Sequence, residues 1–244
     1  MPNFSCGPYM ETYVVSSPDF FWGEGIRCVK WNLEPKNGKR VPAFAWYGEG
    51  RWDDVVYRHV GHAFASSDAS QANTYQAFAT DMYGNGETVQ GDYFGGFVIT
   101  RLDRDTLQVS QGWNETWKRV PSANYVPLPP PTTCGQYFDQ YTVQSLDAYA
   151  ARSSRKPVKT RQGQGVRCVL RSGAANTTWL GFGTWNGAYY MHLATGSIRG
   201  TGASDFCSSS YDICNEVPYG GLRKRISQTW KKTVVDGWNE VWLK

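Results

Sequence analysis

The chain has 244 residues and a formal net charge of +4, with 41% hydrophobic, 15% aromatic and only 19% charged residues. That profile excludes a disordered chain, and 26 Gly, 12 Pro, 11 Trp and 15 Tyr favour strands and turns over helices. No run approaches the roughly 18 consecutive apolar residues of a membrane-spanning helix, and Met1 to Cys6 show neither the basic nor the apolar region of a signal peptide.

From the N-terminus, alternating and β-branched segments predict strands over residues 9–16, 26–33, 41–47, 55–65, 74–81, 97–102, 106–110 and 113–120. Turn signals separate them: Asn37-Gly38, Gly48-Glu49-Gly50, Gly84-Asn85-Gly86 and Gln111-Gly112. Strands joined by short turns imply an antiparallel meander.

The same unit is then read a second time. Cys6-Gly7-Pro8-Tyr9 recurs as Cys134-Gly135-Gln136-Tyr137, and Gly25-Ile26-Arg27-Cys28-Val29 as Gly165-Val166-Arg167-Cys168-Val169. The segment from Trp52 through Tyr57-Arg58-His59 aligns with Trp185 through Tyr190-Met191-His192. At the end, Gly112-Trp113-Asn114-Glu115-Thr116-Trp117 returns as Gly237-Trp238-Asn239-Glu240-Val241-Trp242. Such internal periodicity marks a duplicated structural unit. Between the copies, residues 121–133 hold five prolines and predict an extended, semi-rigid linker. The expected organisation is therefore a first β module over 1–120, a Pro-rich linker over 121–133 and a second β module over 134–244.

The expected fold class is all-β: two tandem homologous antiparallel β modules packed together through the linker. Strand number fits small barrels of lipocalin or avidin architecture, or a sandwich. No residue signature of those families is present. In the second copy Asp236-Gly237 between Val235 and Trp238 is a strong hairpin signal.

Cys6 and Cys28 recur as Cys134 and Cys168, leaving Cys207 and Cys214. The simplest pairing is Cys6–Cys28, Cys134–Cys168 and Cys207–Cys214, although six cysteines allow about fifteen connectivities. Disulfides point to a secreted, extracellular protein, and the sequons at Asn3, Asn114 and Asn176 are compatible with that route. No cysteine or histidine spacing predicts a metal site.

Residues 1–122 carry a net charge of −3 and the remainder +7. The basic stretch 152–171, with Arg152, Arg155, Lys156, Lys159, Arg161, Arg167 and Arg171, could meet an anionic partner or simply face solvent.

Period-2 alternation puts Tyr57 and His59 on one strand face, and Tyr190 and His192 on one face of the second copy. Two of the chain's three histidines thus stand at matching positions. These four residues are the candidate catalytic set, as an acid/base or ligand-orienting pair; the competing reading is a satisfied structural histidine. Trp113, Glu115 and Trp117 share a face, as do Trp238, Glu240 and Trp242. An aromatic–carboxylate–aromatic stripe suits a ligand pocket or a sugar platform, with Trp52 and Trp185 as further ring candidates; the alternative is core packing. Glu24 and Glu49, in Gly-Glu-Gly elements, are a weaker candidate pair for glycoside hydrolysis.

Neither a phosphate-binding loop nor a dinucleotide fingerprint occurs, so no cofactor and no nucleic-acid partner are expected. Three functions remain in play. The first is a secreted protein holding a small, partly apolar or aromatic ligand in an aromatic-lined pocket. A tandem carbohydrate-binding protein is the second. The third is a cofactor-independent isomerase, cyclase or oxidase using Tyr and His. Whether the chain is an enzyme stays open at this level.

Overall fold

A computed structural model describes residues 3–6, 10–16, 24–36, 39–52, 55–66, 68–81, 93–110, 114–126, 128, 133–135, 138–145, 163–172, 176–185, 188–199, 203–205, 210–212, 218–219, 223–226, 232–236 and 240–244. Within some of these strands only the backbone is described. The chain divides into two compact units, Met1–Pro129 and Pro130–Lys244.

In the first unit β1 (Asn3–Phe4) is followed by β2 (Glu11–Ser16), β3 (Glu24–Lys36), β4 (Lys39–Trp52), β5 (Val55–Ala65), β6 (Thr74–Asp81), β7 (Tyr93–Arg101), β8 (Thr106–Ser110), β9 (Glu115–Val120) and β10 (Ala123–Asn124). Strands β2 to β9 form a closed barrel in chain order, each antiparallel to the next. The β2–β9 ladder completes it. Every sequence-predicted strand of this unit is present, and closure excludes a sandwich here. Lys36 pairs with Lys39, so the strands flank Asn37-Gly38 as a hairpin signal requires.

The barrel departs from expectation at Gly48-Glu49-Gly50, which β4 crosses without turning. Gly48 is needed for space, because a Cβ there would lie 2.4 Å from His59 Nε2 and 2.8 Å from Arg27 Cδ. Likewise a Cβ on Gly25 would lie 2.1 Å from Tyr57 Oη, and one on Gly61 1.9 Å from Trp46. These glycines accommodate large neighbours inside a strand. Register shifts between Ala77 and Phe78, which pair with Phe97 and Gly95; Gly96 is the extra residue of a β-bulge.

Alternation sends one set of side chains inward from every strand. Tyr13, Val29, Phe44, Trp46, Phe97 and Trp117 are prominent members of that core. Gly61, Ala63, Ala77 and Ala79 are small where the rings are large, so interior volume is filled by complementary sizes. Toward one end Glu11 accepts from Tyr13 Oη at 2.7 Å and Trp31 Nε1 at 2.6 Å, with Arg119 Nη1 3.2 Å away.

The segment read as linker is partly built into the first unit. β10 pairs with β1, and the Leu128 N–H donates to Glu49 at 2.8 Å.

The second unit contains β11 (Asp139–Ser145), β12 (Gly163–Ser172), β13 (Asn176–Trp185), β14 (Ala188–Arg199), β15 (Ala203–Asp205), β16 (Ser210–Asp212), β17 (Pro218–Tyr219), β18 (Arg223–Ile226), β19 (Lys232–Asp236) and β20 (Glu240–Leu243). They form one sheet, ordered β13-β12-β11-β20-β19-β18-β15-β14-β16-β17. Because β13 also pairs with β14, the ladders return on themselves, leaving β16 and β17 attached to β14. Val235 pairs with Glu240, so the β19–β20 connection between that pair spans residues 236–239 and is longer than the two-residue turn that Asp236-Gly237 signals.

Disulfides join Cys6 to Cys28 and Cys134 to Cys168, as the recurrence predicted. Cys207 and Cys214 lie outside the described residues. Among the described residues no helix is long and apolar enough to cross a membrane.

Candidate functional site

The candidate site begins with Arg27 on β3, an inward position on the same face as Val29 and Trp31. Its guanidinium is fully buried, and burial of a charge is tolerated only with a counter-ion and hydrogen bonds. Both are supplied from distant strands. Arg27 Nη2 donates to both oxygens of Glu115 on β9, at 2.9 and 3.0 Å. Nη1 donates to Tyr57 Oη on β5 and to the Ile26 carbonyl, each at 2.9 Å. The guanidinium lies 5.2 Å from the Tyr57 ring centroid and 5.4 Å from that of Trp117, within cation–π range.

His59 stacks on Tyr57, ring centroids 5.7 Å apart and planes inclined by 16°. Trp46 meets His59 edge-on at 6.2 Å and Trp117 at 5.3 Å, and the Trp117 indole N–H donates to Glu115 at 2.7 Å. The sequence-predicted Tyr57, His59, Glu115 and Trp117 are thus brought together in one interior cluster, about an arginine that the sequence reading noted only as part of the recurring Gly25-Ile26-Arg27-Cys28-Val29 block.

Exposure falls steeply across this cluster. The Glu115 side chain keeps 13% of its surface, against 0% for Arg27; Tyr57 keeps 9%, His59 5%, and Trp46 and Trp117 none. Of these groups the Glu115 carboxylate is the most exposed; Tyr57 and His59 are buried beside it and the indoles are fully enclosed. Trp117 is an enclosed wall rather than a presented platform.

Electrostatics follow from this burial. For Arg27 the desolvation cost opposes its charge, but Glu115 and Tyr57 outweigh it and raise its pKa. Burial raises that of Tyr57, keeping it a phenol. Burial, reinforced by Arg27, holds His59 well below the usual 6.5, so it is neutral at neutral pH.

The second unit repeats the ladder positions. Arg27 pairs with Gly48, and Gly48 with His59; Arg167 pairs with Gly181, and Gly181 with His192. Gly25, Gly50 and Tyr57 are matched by Gly165, Gly183 and Tyr190. Glu115 pairs with Val109 on β8 and Glu240 with Val235 on β19. Arg167 is buried, 5.7 Å from the ring centroids of both Trp179 and Trp242. Those rings meet at 5.2 Å and 68°, close to the 5.3 Å and 62° of Trp46 and Trp117.

Trp242 is fully enclosed like Trp117. Trp113 and Trp238 lie outside the described residues. Trp52, Trp185, Tyr190, His192 and Glu240 are placed as backbone on β4, β13, β14 and β20, and their side chains are outside the description. Residues 152–162 of the basic stretch are likewise outside it. Arg167 is withdrawn from any anion-binding surface by its burial in the second unit.

Glu49 is not a turn carboxylate. It is buried on the outer face of β4, accepting from Tyr47 Oη and the Leu128 N–H, with Arg58 3.6 Å away; burial raises its pKa. Among the described residues no group of three or more His, Cys, Asp or Glu could hold a metal ion.

Sequence reasoning missed Arg27, Arg167 and the Trp46 and Trp179 pair. The signals were present: the arginines sit in the recurring Gly-x-Arg-Cys-Val block, and Trp-x-Gly-x-Gly occurs at 46–50 and 179–183. No protein-family model matches the chain, and no curated protein and no solved structure matches it either.

Proposed function

We propose that the chain is a secreted binding protein whose first barrel takes a small, partly apolar ligand at the interior end faced by Glu115, Tyr57 and His59. The observation that carries this reading is the gradient of exposure across one hydrogen-bonded cluster. The part-exposed Glu115 carboxylate lies against the buried Tyr57 and His59 and the fully enclosed Trp46, Trp117 and Arg27. Such a combination of apolar wall and few convergent polar groups is what small-ligand sites use for affinity and orientation. A barrel interior serving packing alone has no need of a buried charge pair, since apolar replacements are often as stable.

Secretion is supported by the two disulfides. Descent of both units from one ancestor is supported by the matched arginine, glycine and histidine ladder positions, and it implies a second, related site around Arg167. The lectin-like alternative is weakened by the enclosure of Trp117 and Trp242, because stacking on a sugar requires an accessible ring face. An enzymatic role gains no support from His59, which burial and Arg27 keep neutral.

Calorimetric titration with small aromatic alcohols tests the reading. Saturable binding that weakens on Tyr57→Ala supports it; absence of heat with any member of a broad apolar panel overturns it.

A further inference from the structure

The proposed site has no charge left to offer. Both Arg27 Nη atoms are committed, to the Ile26 carbonyl, Tyr57 and both oxygens of Glu115; Nε has no hydrogen-bond partner among the described residues but is buried out of a ligand's reach, and the guanidinium is fully buried while Glu115 is part-exposed. An anionic ligand entering from solvent meets Glu115 first. It would approach a carboxylate before reaching a cation that is already paired.

A cationic ligand fares no better. The Glu115 carboxylate is already neutralised by Arg27 and accepts from Trp117 Nε1, so an incoming ammonium would add a second cation to a low-dielectric site holding one anion. Desolvating either kind of ion without a free partner is costly. Glu115 does retain hydrogen-bonding capacity: a carboxylate offers about four acceptor positions, and Arg27 and Trp117 take three of them.

We infer that the first barrel selects an uncharged ligand, a flat apolar body carrying a hydroxyl or amide N–H that donates to Glu115. The inference rests on the binding reading above and names the ligand's charge class. Charge rejection here is built from the ion pair itself, which presents like charge to anions and a satisfied counter-ion to cations. An uncharged donor fills the remaining acceptor position at no such cost, and a ligand lacking it leaves that position empty.

Calorimetric titration of the full chain at neutral pH with naphthol, naphthoate and naphthylmethylammonium tests this, since one ring is offered with three charges. Naphthol binding at least about tenfold tighter than either ion is expected. Equal or tighter binding of either ion overturns the inference while leaving the binding reading standing. No binding by any of the three overturns the binding reading and the inference with it. Glu115→Gln locates the site: naphthol should weaken by about tenfold and naphthoate should gain, because Arg27 loses its counter-ion. Unchanged naphthol affinity in a folded Glu115→Gln protein places the ligand elsewhere and overturns the inference; the wild-type comparison decides the charge question without that variant.

Discussion

Arg27 and Glu115, 88 positions apart in sequence, close one ion pair inside the barrel of the first unit, with a single guanidinium nitrogen reaching both carboxylate oxygens at 2.9 and 3.0 Å. Because Arg27 is fully buried, removing Glu115 strands a charge rather than merely deleting a bond. Glu115→Ala should therefore destabilise the first unit by about 3 kcal/mol, read by chemical denaturation. Replacing both partners, Arg27→Met with Glu115→Gln, should recover most of that loss, since an apolar isostere removes the stranded charge. A double variant as unstable as the single one would show that the pair is not the source.

The interior glycines make a second, steric prediction. At an open strand position Gly→Ala stabilises by reducing unfolded-state freedom. Gly25→Ala should instead destabilise by about 1–3 kcal/mol, because the new methyl would meet Tyr57 Oη at 2.1 Å. Tyr57→Phe in the same chain removes that oxygen and leaves Glu49 O at 3.1 Å and Tyr57 Cζ at 3.2 Å as the nearest atoms. Partial rescue in thermal melts is expected; additive losses would contradict the geometry.

His59 makes stability depend on pH with a definite sign. Burial, helped by Arg27, depresses its folded pKa well below 6.5, whereas the unfolded chain takes up a proton near that value. The contribution is fully present above the unfolded pKa and is lost as pH falls below it, at a limiting slope of about 1.4 kcal/mol per pH unit from this residue. Denaturation midpoints should decline from neutral pH to about pH 5, and His59→Gln should flatten that component. An unchanged slope in the variant would assign the decline to other groups.

The Cys6–Cys28 bridge closes a separation of 22 residues and ties the chain ahead of β2 to β3. Its loss should cost about 2–4 kcal/mol. Cys6→Ser with Cys28→Ser, or mild reduction, should lower the melting temperature of the first unit, followed by near-UV circular dichroism of its Trp cluster. Retention of the wild-type melting temperature after confirmed reduction would contradict this.

How far this was legible depends on which physical signal each feature leaves in sequence. Strands β5, β6 and β8 begin and end where expected, because alternation stops at polar or turn residues on both sides. Gly48 and Gly50 misled the reading of β4: a glycine signals backbone freedom and absent bulk equally, and the ring of His59 that needs the space comes from the next strand. Tyr57 and His59 could be assigned to one face by counting alone. Their partner Arg27 could not, since its role depends on a carboxylate that only barrel closure brings near. The recurrence of Arg27 as Arg167 beside paired cysteines was visible, but a charge in a strand reads as surface until its face is known.

The most direct test of a ligand lying against this cluster is the indole N–H resonance of Trp117, which donates to Glu115. In a titration of the isotopically labelled full chain with naphthol, that resonance should shift progressively and saturate with the calorimetric affinity. Saturable naphthol binding with the Trp117 signal unmoved would place the ligand elsewhere and contradict the account.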